Sequence, residues 1–129
     1  MKYMILLYGN QQSWDDMAKW SQDDIQAMVR FMDDVNNDLT AAGELVEAQG
    51  LAGPADTKTV RARNGGGPSV KDGPLSDTDD VLAGYWVVDV ATPDRALEIA
   101  ARVSASPGPG GQPSNDPIEV RPVMDAPDT

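Results

Sequence analysis

Arginine and carboxylate groups at alternating positions of short strands are the residues best suited to chemistry in this sequence. Arg61 and Arg63 stand two apart in Thr59-Val60-Arg61-Ala62-Arg63, and Glu119 and Arg121 stand two apart in Glu119-Val120-Arg121. Side chains two apart on a strand share a face. Guanidinium forks grip carboxylates and phosphates in bidentate fashion. Arg61, Glu119 and Arg121 are therefore candidate ligands for a small anion, with the Asp72 carboxylate and the Tyr8 and Tyr85 hydroxyls as candidate neighbours. Each also has a plainer role. An arginine–glutamate ladder can hold an interface or sit solvated at an edge. Asp72-Gly73-Pro74 has the makings of an Asx-type turn. Tyrosine rings pack in cores with one polar tip satisfied.

Other chemistries are excluded by residue type. The chain has no cysteine and no histidine, which removes disulfides, thiolate metal sites and the commonest general base. Ser13, Ser69 and Ser76 have no imidazole to activate them. Asp77-Thr78-Asp79-Asp80 starts like a calcium loop but lacks the later glycine and bidentate glutamate, so no metal is expected. The glycines at 65–67 and 108–111 do not join a strand to a helix start, so no phosphate loop and no cofactor follow. The net charge of −11 repels nucleic acid and anionic lipid. The longest apolar run, Met4 to Tyr8, is too short to cross a bilayer. With no leader pattern at its start, the chain reads as cytoplasmic.

The 129 residues suffice for one domain, placed at 1–124, with 125–129 as a frayed tail. Lys2–Tyr8 and Gly84–Val90 are apolar on both alternating faces and read as central strands. Ser21–Ala42 has apolar residues at three- and four-residue steps, Ser21-x-x-Asp24 as a capping box with Asp in place of Glu, and Gly43 as its stop. Thr92-Pro93 opens a second helix ending at Val103. Trp14, Met17 and Trp20 suit a short helical turn shielding one end of the sheet. Leu45–Leu51 and Ile118–Val123 are further strands, Thr57–Arg63 and Ser69–Lys71 an inserted hairpin, and Ser104–Pro117 a loop. The order predicts an α+β, ferredoxin-like βαββαβ sandwich with both helices on one face. Met4/Leu6/Tyr8, Trp86/Val88 and Val120 then supply apolar side chains for the other face, and an uncovered apolar face implies a homodimer packed sheet to sheet.

Lys2-Tyr3-Met4-Ile5-Leu6-Leu7-Tyr8-Gly9, Ala42-Gly43-Glu44-Leu45-Val46, the Thr59-Val60-Arg61-Ala62-Arg63 strand, Asp72-Gly73-Pro74-Leu75, Gly84-Tyr85-Trp86 and Glu119-Val120-Arg121-Pro122-Val123 together resemble the YCII-related, or DGPF-domain, family over nearly the whole chain. The resemblance implies a dimeric α/β barrel, enzyme-like clefts of mostly unassigned reaction, and genomic association with extracytoplasmic-function sigma factors. Leu75 replaces the family's usual Phe. The histidine–aspartate dyad of the YciI-like branch has no counterpart here, because the chain lacks histidine. Three function classes stay open. They are a small-molecule binder or enzyme-like protein with a polar cleft, a regulatory module acting through protein contacts, and a lyase or isomerase using carboxylate, tyrosine or arginine groups.

Overall fold

The computed structural model describes residues 1–75 and 80–125. Part of the calcium-like run (Asp77, Thr78 and Asp79), Ser76, and residues 126–129 of the expected tail lie outside them. The chain is α+β. In order it forms β1 (Lys2–Gly9), α1 (Gln11–Ala18), α2 (Gln22–Ala41), β2 (Leu45–Gly50), β3 (Lys58–Arg61), β4 (Ser69–Asp72), β5 (Val81–Asp89), α3 (Pro93–Ser104) and β6 (Ile118–Pro122). Four strands make one antiparallel sheet in the order β2-β5-β1-β6, and β3 and β4 make a separate two-stranded sheet. Among the described residues the sheet does not close into a barrel.

The doubly apolar runs occupy the two central positions, where side chains are covered on both sides. Ile5 lies opposite Trp86 and Tyr3 opposite Val88, so these four share one face. Helices α2 and α3 pack there. Ile5, Val35, Leu39 and Val88 are essentially inaccessible, and Val90, Ala96, Ile99, Ala100 and Val103 complete the core. Small alanines on α3 let that helix sit close to the sheet. The Trp86 indole N–H donates to Asn36 Oδ1 at 2.8 Å, so the one polar atom of this large side chain is satisfied in the core. The Glu44 carboxylate takes a fork of bonds from Arg95, Nε to Oε2 at 3.0 Å and Nη2 to Oε1 at 2.9 Å. That pair ties the α2–β2 turn to the start of α3.

The opposite face corrects the sequence reading. Trp86, Val88 and Val120 belong to the helix side, because alternation puts them in register with Ile5 and Tyr3. The uncovered face instead carries Met4, Leu6 and Tyr8 of β1 with Tyr85 and Val87 of β5.

Local signals resolve as chemistry dictates. Ser21 Oγ accepts from the Asp24 N–H at 3.1 Å, which caps α2. The reciprocal bond of a full capping box is not formed, since aspartate is one methylene shorter than glutamate. Gly43 stops the helix at φ +72°, a conformation glycine adopts without cost. Arg63 lies beyond β3, and its Nε donates to Gly67 O at 2.7 Å inside the hairpin turn. Asp72 is the last residue of β4, opposite Lys58, and the two are ion-paired. Among the described residues no backbone N–H donates to the Asp72 carboxylate. Gly73, at φ +97°, turns the chain.

Ile5 sits fully buried at the centre of this arrangement. Ile5→Ala is expected to lower the unfolding free energy by about 2–5 kcal/mol, read from the urea midpoint at unchanged m-value.

Candidate functional site

The six residues singled out by type do not converge. Tyr8, Glu119 and Arg121 come together on the uncovered sheet face, since β1 pairs with β6 and sets Glu119 opposite Leu6 and Arg121 opposite Met4. The Tyr8 phenol is held above its ordinary pKa chiefly by its hydrogen bond to Glu119, then by partial burial, while Arg121 pulls the other way. A hollow of about 360 Å³ beside them is lined by Met4, Leu6, Tyr8, Leu82, Arg121, Pro122 and Val123. Tyr85, on the same face, donates its hydroxyl to Glu47 Oε1 at 3.0 Å, and that bond raises the phenol's pKa. Arg61 and Asp72 sit apart on the β3–β4 hairpin and do not line this hollow.

A larger cleft, about 1140 Å³, opens at the other side of the sheet end, between α1, the first turns of α2, and the loop after α3. Its position depends on α1. Asn10 and Ser13 cap this helix reciprocally, and Asn10 Nδ2 donates to Asp80 Oδ1 at 3.2 Å. Trp14 lies flat against two glycines. A Cβ at Gly9 or Gly53 would stand 3.0 Å from its ring atoms, so a side chain at either position would push the indole by a few tenths of an ångström. No residue of α1 is buried. Its apolar side chains therefore border open space, and Trp14, Met17 and Trp20 line the cleft with Met28, Met32 and Trp86.

Its far wall comes from residues 106–116. The Ser104 hydroxyl donates to the Asp116 carbonyl at 2.6 Å, Ser114 N–H to Ser106 O at 2.9 Å, and Gly110 N–H to the Asp24 carboxylate at 3.3 Å. The expected loop is thus pinned to both helices. Asp116 borders the cleft, and desolvation holds its carboxyl above the ordinary pKa. The charged lining is Asp16, Lys19, Asp24 and Asp116. Such a site offers flat apolar surface with carboxylates at its rim. It suits an uncharged or cationic apolar molecule better than an anion. Among the described residues, no group of three or more acidic side chains is placed to hold a metal ion, and no helix is long and apolar enough to cross a membrane.

The spacing of Trp14, Met17 and Trp20 was the sequence's signal for this wall. Asp116 had none, because its place opposite Asp24 follows from the fold of a Gly/Pro-rich loop.

The chain belongs to the YCII-related domain family, whose model matches residues 1–109. It is also similar to an uncharacterised protein of Rhizobium meliloti (strain 1021), 28% identical over 123 residues, which are 95% of this chain and 92% of that one.

Partial desolvation raises the Asp116 pKa although the residue as a whole is exposed, so its ionisation weakly opposes folding. That penalty is absent below the carboxyl's unfolded-state pKa and grows as pH rises through the folded value. Asp116→Asn is therefore expected to raise the thermal midpoint at pH 7 and to lose that advantage near pH ~3. A variant equally shifted at both pH values would assign the effect to something other than charge.

Proposed function

We propose that this YCII-related chain is a small-molecule-binding protein that holds an apolar, aromatic-sized ligand in the α1–α2 cleft. In this reading it works as a homodimer of ferredoxin-like units, two sheets facing each other as in a dimeric α/β barrel. The cleft carries the first half of the reading. Trp14 of α1 and Trp20 just beyond it line the cleft only partly buried, an arrangement that leaves apolar area open unless something fills it. The partly exposed row of Met4, Tyr85 and Val87, set around the buried Leu6, supports the second half, since apolar area with no helix over it gains from a cover.

Tryptophan fluorescence tests the cleft. Titration with neutral and amine-bearing aromatic compounds is expected to give saturable quenching that Trp20→Ala weakens at least about tenfold, the scale of losing one stacked aromatic contact. Equal affinity in Trp20→Ala would remove the cleft as the site.

Light scattering tests the assembly. The wild type is expected at twice the 13.7 kDa chain mass, still paired in salt of about 1 M, since apolar burial is screened far less than ion pairing. Val87→Glu is expected to be monomeric with an unchanged circular dichroism spectrum. The other reading of this face is a small anion held by Arg121. An Arg121→Ala protein that stays dimeric but loses affinity for a small carboxylate would favour that role over an interface one.

A further inference from the structure

The β3–β4 hairpin takes no part in the four-stranded sheet. It stands as its own two-stranded sheet, with Val60 directly opposite Val70. Those two valines are 62% and 57% exposed. A two-stranded hairpin is marginal in water and gains stability by lying on another surface. Its charge is also the reverse of the rest of the protein. The hairpin, residues 58–72, holds Lys58, Arg61, Arg63 and Lys71, four of the ten cations, and one acid, Asp72, which pairs with Lys58 and leaves the arm at +3. The other 20 acids lie elsewhere, beside the six remaining cations, so the remainder carries −14.

We infer that the hairpin is a docking arm for a second copy of this chain, its valine pair seated on the partner and its cations set among the partner's acids. The inference rests on the homodimer reading above. Charge selects the occupant. Two chains of −11 repel as they approach, and a basic arm laid on an acidic body offsets that repulsion where it is strongest. Pairing through the sheets also holds each arm beside the partner, so docking costs little further freedom of the whole molecule.

Sedimentation equilibrium of the full chain tests this, comparing the wild type with Arg61→Glu/Lys71→Glu and with the milder Arg61→Gln/Lys71→Gln. The milder pair keeps the test available should the charge reversal unfold the hairpin. In salt of about 50 mM the reversal is expected to weaken the dimer at least about tenfold and the glutamine pair by a smaller factor. In salt of about 1 M the three dissociation constants are expected to converge, because exposed ion pairs are screened there. Val60→Ser is expected to weaken the dimer at both salt concentrations. Equal constants for all variants at low salt would overturn the arm and leave the sheet-to-sheet dimer standing. A wild type monomeric under every condition would overturn the dimer reading, and the arm with it.

Discussion

Strand alternation in the β1–β5 pair is the constraint on which the rest depends. Each residue of these two strands must send its side chain to one of two faces, and only one face has helices over it. Ile5, Trp86 and Val88 fall on the helix side and build the core with α2 and α3. Met4, Leu6, Tyr85 and Val87 fall on the other side with no helix to cover them. A one-residue slip of β5 would turn Tyr85 and Val87 toward the helices and Trp86 and Val88 away from them. The register thus fixes the core and the uncovered apolar row in a single step.

Function, in this account, sits where that sheet ends and packing becomes incomplete. Helix α1 is attached by caps and by a tryptophan laid on two glycines, and it buries none of its own residues. The loop after α3 is tied to α2 through Gly110 and Asp24. Between these two attachments lies an apolar space with carboxylates at its edge. In the proposed dimer the uncovered sheet face and the basic hairpin serve assembly instead, one by apolar area and the other by charge.

Much of this was readable from residue order. Doubly apolar runs identified β1 and β5 as central, and Ser21, Gly43 and Thr92-Pro93 marked the helix ends through capping chemistry. Alternation was harder, because a run apolar on both faces does not say which residues face the helices. Trp86 and Val88 were for that reason assigned to the wrong side. Of the candidate site residues, Tyr8, Glu119 and Arg121 do meet, through the pairing of the first and last strands. Arg61 and Asp72 do not join them, since nothing local in sequence tells a hairpin folded over a sheet from one standing beside it. Asp116 was invisible for a related reason: its surroundings come from residues far away along the chain.

In the proposed dimer a second copy covers Met4's face of the sheet. Hydroxyl-radical footprinting of the methionines measures that cover directly, with Met124, 91% exposed, as the internal standard for full accessibility. The account predicts that Met4 oxidises slowly relative to Met124 at high protein concentration, and that its rate rises on dilution as the pair dissociates. A Met4 rate independent of concentration, at the level its half-exposed position in a single chain dictates, would contradict it.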